Sequence, residues 1–155
     1  MRKKHNYKRE HKPDLKYKSV VVTRFINYLM EGGKKFASEK ILYDCFDILQ
    51  KETKLNPMEV FEKALENVSP AVEGVSKRVG GANYQVPREI RPDRKFFLAT
   101  HWLIDASRKK KGKPMAKKLA EEILAAYKNE GAAIKKKQDT HRMAEANRAF
   151  AHFAW

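Results

Sequence analysis

The sequence predicts a mainly α-helical fold of six helices, with a protruding two-stranded antiparallel β-hairpin between the third and the fourth. Three observations lead there. Apolar residues recur at spacings of three and four along most of the chain. One stretch switches to a spacing of two: Val75, Lys77 and Val79 on one side of Gly80-Gly81, Tyr84, Val86, Arg88 and Ile90 on the other. Glycine and proline punctuate the places where one pattern gives way to the next.

Met1 to Lys18 carries Arg2, Lys3, Lys4, Lys8, Arg9, Lys12, Lys16 and Lys18 against only Glu10 and Asp14. With little to bury, this basic extension (1–18) cannot offset its ordering entropy alone and is expected to be disordered when free. A plain solubility tail is the bland reading. The functional one is an extension that orders on phosphates, with Tyr7 and Tyr17 placed to stack. Residues 19–155 are expected to form one helical domain, with the hairpin arm at about 72–91.

Val22, Phe25, Ile26, Leu29 and Met30 form one apolar stripe, and Gly32-Gly33 supplies the left-handed positions that end that helix. The second helix is expected from about Lys34 to Thr53, with Ala37, Ile41, Cys45, Ile48 and Leu49 inward and Phe36, Leu42, Tyr43 and Phe46 widening the face. The short link makes the two helices an antiparallel pair, with Lys34 and Lys35 at the turn. Asn56-Pro57-Met58-Glu59 reads as an N-cap, a first-turn proline and an early acidic residue, opening a helix that stops before Pro70. In the hairpin, Gly80, Gly81 and Asn83 are the candidates for positive φ, and Pro87 marks an edge strand.

Arg91-Pro92-Asp93 opens a fourth helix, expected to be the most buried, through Phe96, Phe97, Ala99, Trp102, Leu103 and Ala106. His101 and Asp105 share a face of it; a packed histidine or a surface pair explains them better than acid–base chemistry, since no nucleophile or metal shell is nearby in the sequence. Arg108, Lys109, Lys110, Lys111 and Lys113 form a loop with no acidic residue. Their mutual repulsion disfavours the loop unless a polyanion screens it. A fifth helix follows from about Pro114 to Asn129, with Met115, Leu119, Ile123, Leu124 and Tyr127 inward. Gly131 precedes a last helix expected from Ala132 to Phe150, whose polar residues His141, Arg142, Glu145, Asn147, Arg148 and His152 suit either solvent, RNA or a neighbouring protein.

The 155 residues hold 34 Lys and Arg against 19 Asp and Glu, a formal net charge of +15. An excess of that size points to a polyanionic partner and to fast, salt-sensitive association. One cysteine excludes an internal disulfide, and its apolar neighbours make Cys45 a buried, inert thiol. No stretch approaches the about 20 apolar residues of a membrane span, and no apolar signal run follows the basic N-terminus. A soluble intracellular chain is the expectation. There is no Gly-rich phosphate loop between a strand and a helix, the histidines lack zinc spacing, and the carboxylates are scattered, so neither cofactor nor metal nor catalysis is expected.

Four segments together resemble one family: Ser19 to Asn27, Asn56 to Val68, Arg78-Val-Gly-Gly-Ala-Asn-Tyr-Gln-Val-Pro87, and Asp139-Thr-His-Arg-Met-Ala-Glu-Ala-Asn-Arg-Ala-Phe-Ala-His152. They are similar to the seventh ribosomal protein of the small subunit, in its bacterial or organellar form, over essentially the whole chain. The resemblance implies a non-enzymatic, primary rRNA-binding protein of the 3′ major domain that nucleates head assembly and lies near the tRNA exit site and the mRNA path. Its place would be the ribosome, in the cytoplasm or in an organelle's stroma or matrix, beside neighbouring head and platform proteins. The rRNA contacts so implied are Arg2, Lys3, Lys4, Lys8, Arg9, Lys12, Lys16, Lys34, Lys35, Lys77, Arg78, Arg91, Arg94, Arg108, Lys109, Lys110, Lys111 and Lys113. Facing tRNA and mRNA would be Gly80, Gly81, Ala82, Asn83, Tyr84, Arg142 and Arg148. Two other readings compete: an architectural DNA-binding protein whose arm enters a minor groove with Pro87 as a wedge, and an RNA-processing enzyme using His101 or His141.

Overall fold

The computed structural model describes residues 10–153, in which six α-helices and one β-hairpin follow the predicted order. The chain clusters into two units, one through Lys40 and one from Ile41. The boundary falls inside a helix.

In the first unit, Asp14 organises a turn. Its carboxylate accepts the amides of Lys16 (3.1 Å) and Tyr17 (3.0 Å), and its carbonyl accepts that of Lys18 at 2.9 Å. Asp14 is buried, and Lys18 takes the left-handed conformation, φ 49°. Helix α1 spans Val20–Leu29, with Val22, Phe25, Ile26 and Leu29 buried on the predicted stripe. It ends differently from expectation. Met30 leaves in an extended conformation, and Gly32 and Gly33 (φ 58° and 74°) form the turn beyond it. Helix α2, Lys35–Thr53, begins here with Phe36 83% exposed and Ala37 exposed, against their inward assignment. The buried line instead starts at Ser38, whose hydroxyl donates to the Lys34 carbonyl. A small polar residue that bonds its own helix buries at little cost, so the stripe sits one position away from where hydropathy alone puts it.

The second unit holds the remainder of α2, where Leu42, Cys45, Phe46 and Leu49 are buried. Burial pushes the Cys45 thiol pKa upward and keeps it protonated. Helix α3, Pro57–Val68, starts as its sequence dictates: the Asn56 side chain accepts the Met58 amide at 3.1 Å, and Pro57 occupies the first helical position. Phe61 meets Phe46 edge-on, ring centroids 5.3 Å apart, an arrangement that contributes about 0.5–1.5 kcal/mol beyond area burial. Helix α4, Pro92–Lys109, buries Ala99, Thr100, Leu103, Ile104, Ala106 and Ser107. Its aromatics Phe96, Phe97 and Trp102 are only half-buried, so the core line is Leu103 and Ile104 with small residues around them rather than the aromatics. Small side chains let α4 lie close to α3, α5 and α6, all of which it packs against.

Helix α5, Met115–Tyr127, closes with Asn129 left-handed at φ 60°, the Glu130 amide reaching the Ala125 carbonyl at 2.8 Å. This is the Schellman pattern, with Asn in the place glycine usually takes. Helix α6, Ala132–Ala146, is shorter than the expected run to Phe150. At Asn147 the side chain donates to the Met143 carbonyl (2.9 Å), competing with continued helix, and the chain tightens into a 3₁₀ segment, Arg148–Phe153.

The hairpin pairs β1, Val72–Val79, with β2, Ala82–Glu89, in antiparallel register from Val72↔Glu89 to Val79↔Ala82. Gly80 and Gly81 (φ 56° and 90°) make the two-residue turn, of the kind whose twist suits a hairpin. Asn83 is not a turn residue: it lies in β2 opposite Arg78. Pro87 faces Gly74. Pairs alternate between bonded and non-bonded from the turn outward, and the Ile90 amide bonds the Ala71 carbonyl three pairs further on. By that parity Pro87 occupies a non-bonded pair, where its missing N–H costs the ladder nothing.

Candidate nucleic-acid interface

The hairpin divides in two along its length. At its base, Val86 is 1% exposed and Ile90 is buried, so this part belongs to the core. Arg94 of α4 pairs with Glu73 (Nε to Oε2 3.2 Å) and lies over the Phe97 ring, tying the base of β1 to α4. The Ala71 amide donates to His141 Nε2 at 3.1 Å. That bond needs the neutral ring, and burial, reinforced by the charge of Lys137, holds the His141 pKa below the ordinary histidine value.

Toward the tip, β2 rests on the 3₁₀ segment. The Tyr84 ring stacks at a tilt on Phe150 (4.8 Å between centroids) and Phe153 (6.0 Å), and Lys77 Nζ donates to the Phe153 carbonyl at 2.8 Å. Tyr84, expected at a tRNA-facing tip, therefore serves first to hold the arm against the C-terminal segment. Gly80, Gly81, Ala82 and Asn83 are all exposed, as is Arg78 on the strand facing them. Beside the base of β2 a cleft of about 410 Å³ is lined by Pro87, Arg88, Glu89, His141, Glu145 and Arg148, charges of both signs. Arg148 stands exposed at this cleft, and Arg142 is exposed on α6 with Asp139 at 4.0 Å. The structure brings the tip residues Gly80 to Asn83 together, whereas Arg142 and Arg148 lie on α6 and the segment that follows it.

The basic loop after α4 differs from its sequence-only reading. It is not left to repel itself, because α5 brings two carboxylates to it. Lys110 Nζ lies 2.8 Å from Glu122 Oε2, and Lys113 pairs with Glu121. The hydrogen bond from Lys113, with the charges of Lys113, Lys110 and Lys117, holds the Glu121 pKa below the usual carboxylate range. Arg108 and Lys109, expected in the loop, instead form the last turn of α4, where their charge suits the helix C-terminus; both are exposed, as are Lys111 in the loop and Arg91 at the start of α4.

In the first unit Lys12, Lys16, Lys34 and Lys35 are all exposed. Lys16 lies over the Tyr17 ring at 5.4 Å, and Lys35 pairs loosely with Glu39 across one helical turn. Arg2, Lys3, Lys4, Lys8 and Arg9 lie outside the described residues.

Two residues that organise this surface were missed in the sequence. Glu122 is 1% exposed and spans three elements: beyond Lys110, its Oε1 accepts the Ala133 amide in the first turn of α6 at 3.0 Å. Gly131 fits against it closely, since a Cβ there would stand 2.9 Å from the same oxygen. The signal was present: Glu122 falls between Leu119 and Ile123 on the apolar stripe of α5, where a charge needs a partner. Asn67 of α3 donates to the Ala126 and Tyr127 carbonyls at the end of α5, while its own carbonyl accepts Lys137 Nζ at 2.7 Å. No periodicity marks it.

Neither competing reading gains from this geometry. His101 stacks on Phe97 (4.0 Å) with Nδ1 3.0 Å from the Phe97 carbonyl, the packing of a structural histidine. Pro87, the wedge of the DNA reading, is half-buried at the hairpin base, away from the tip. Among the described residues no cluster of His, Cys, Asp and Glu suits a metal ion, and no helix is long and apolar enough to cross a membrane.

Comparison with known proteins adds the missing context. The family model described as "Ribosomal protein S7p/S5e" matches residues 1–148. The "Small ribosomal subunit protein uS7" of Thermotoga maritima is 54% identical over 155 residues, covering both chains completely. The protein of the same name from Francisella tularensis subsp. holarctica is 58% identical over 149 residues, 96% of this chain and 95% of that one. The one from Desulfatibacillum aliphaticivorans is 53% identical over 148 residues, with the same coverage. Matched over almost its whole length, and with the helices and hairpin that its sequence predicts, the chain belongs to the ribosomal protein S7p/S5e family.

Proposed function

We propose that the chain is a structural, rRNA-binding constituent of the small ribosomal subunit, without catalytic activity. The observation that carries the reading is the match, without gaps in coverage, to small-subunit ribosomal proteins. The exposed cations agree with it. They stand on the segment before α1, the turn into α2, the hairpin, and the loop after α4, as suits an irregular RNA gripped at several places rather than a regular duplex. The partner in this reading is the 3′ major domain of the small-subunit rRNA, and binding there nucleates head assembly, with other head and platform proteins alongside. The basic extension 1–18 contacts that RNA. The exposed tip Gly80 to Asn83, with Arg142 and Arg148, faces the tRNA exit site and the mRNA path. The chain works in the ribosome, in the cytoplasm.

Chemical footprinting of small-subunit rRNA with and without the protein tests this. Protections confined to the 3′ major domain are expected; protections spread evenly over all domains would refute it.

A further inference from the structure

We propose that the basic run from the last turn of α4 into the loop after it is divided by function: Lys110 is a positioning residue locked on the buried carboxylate of Glu122, and Lys109 and Lys111 on either side of it make the phosphate contacts. The inference rests on the rRNA reading and names the residues by which this loop performs it.

Sequence alone gives these three lysines one role. The structure separates them. Glu122 is 1% exposed, and a carboxylate so removed from water must be compensated. It is compensated twice, by the Ala133 amide at 3.0 Å on Oε1 and by Lys110 Nζ at 2.8 Å on Oε2. Removing Lys110 would leave a buried charge with only one donor, so Lys110 cannot leave for a phosphate without destabilising the joint between α4, α5 and α6. Lys113 differs: its pair with Glu121 is roughly half-exposed on both sides, and such a pair yields easily to a better anion. Lys110 takes an extended conformation (φ −68°, ψ 136°) at the end of α4, while Lys109 and Lys111 beside it are exposed. The lock thus aims its neighbours outward. The net effect of Glu122 is that of an acidic residue which helps a basic surface bind, by fixing the loop's path before RNA arrives and so reducing the ordering cost.

The test combines thermal unfolding with the salt dependence of binding to a 3′ major domain transcript. Lys110→Met is expected to lower Tm by roughly 5–10 °C, and Glu122→Gln in the same chain to restore a good part of it, because the amide oxygen can still accept from Ala133 without a charge to neutralise. Where Lys110→Met is too unstable to purify, Glu122→Gln/Lys110→Met against Glu122→Gln gives the complementary comparison: with no buried charge left to neutralise, loss of the lysine is expected to leave Tm nearly unchanged, and a large further drop would overturn the lock. Lys109→Gln and Lys111→Gln are expected to leave Tm within about 2 °C and each to reduce the slope of log affinity against log salt by about 0.7. The salt slope of Glu122→Gln/Lys110→Met should match that of the wild type. A slope reduced by Lys110→Met as much as by Lys109→Gln, with Tm unchanged, would overturn the division. If the wild type itself shows a slope near −1, the rRNA reading fails and the assignment of Lys109 and Lys111 with it. The Lys110–Glu122 lock is still decided then, by Tm alone.

Discussion

Val86→Ala, set beside Val79→Ala, measures where the hairpin stops being core and becomes an arm. The two valines sit in one hairpin and lose the same two methyl groups. Val86 is 1% exposed and paired with Val75; Val79 adjoins the turn, paired with Ala82 and half-exposed. At about 0.8 kcal/mol per buried carbon, the transfer cost at Val86 is about 1.6 kcal/mol, and the cavity left behind raises it to roughly 2–3 kcal/mol. At Val79 the methyls are already partly hydrated, and the cost is about 1 kcal/mol or less. In a chain of 155 residues each kcal/mol moves Tm by about 2–4 °C. Val86→Ala should then lower Tm by about 4–12 °C and Val79→Ala by no more than about 4 °C. Far-ultraviolet circular dichroism follows the transition, and the urea midpoint gives an independent value. Equal shifts, or a larger one at Val79, would refute the boundary drawn through β2. The same reasoning limits how much of the arm can be removed. A deletion from Lys77 to Arg88 takes Val86 with it and should cost core stability, whereas one confined to the residues around Gly80-Gly81 should not.

Other perturbations reach the remaining joints. The His141 ring accepts a hydrogen bond and its pKa is held below the unfolded value of about 6.5; the bond's contribution is therefore complete above that pH and lost as pH falls through the folded pKa. Tm of the wild type should fall more steeply from pH 7 to 5 than that of His141→Gln, and parallel curves would count against the bond. Gly80 has φ 56° with open space around it, so Gly80→Val should cost about 1–2 kcal/mol through backbone strain alone, and Gly80→Asn much less; equal losses in urea titrations would contradict a left-handed turn. Tyr84→Ala removes the ring packed on Phe150 and Phe153. Amide exchange in Arg148–Phe153 should speed up about tenfold with the core helices unchanged, and unchanged exchange there would show that the ring does not hold the segment.

Most of the fold was legible because it rests on local rules. Helix α3 is framed by Asn56 and Pro57, and the hairpin turn by two glycines, features written within a few residues of where they act. What periodicity misjudged was set by tertiary partners. Phe36 is apolar yet exposed, because the buried line of α2 begins at Ser38, which satisfies its hydroxyl within the helix. The last helix stops at Asn147, where a side chain competes for a helical carbonyl and the following residues pack on Tyr84 and Lys77 from about 70 residues earlier. The candidate interface was legible as charge but not as arrangement. Nothing in the run Arg108 to Lys113 reveals that Glu122 waits one helix later for Lys110, or that Lys77 spends a donor on the Phe153 carbonyl. Charge is additive along a sequence, whereas pairing depends on which elements the fold brings together.

The central claim, a small-subunit rRNA-binding protein of the S7p/S5e family, is tested most directly by competition binding. Labelled 3′ major domain rRNA is displaced by unlabelled copies of itself or by random duplex DNA of equal phosphate content, over a range of salt. If on the order of eight phosphates are neutralised, the slope of log affinity against log salt should be about −6 to −7, with the DNA a far weaker competitor at every salt concentration. Equal competition by duplex DNA would contradict the account.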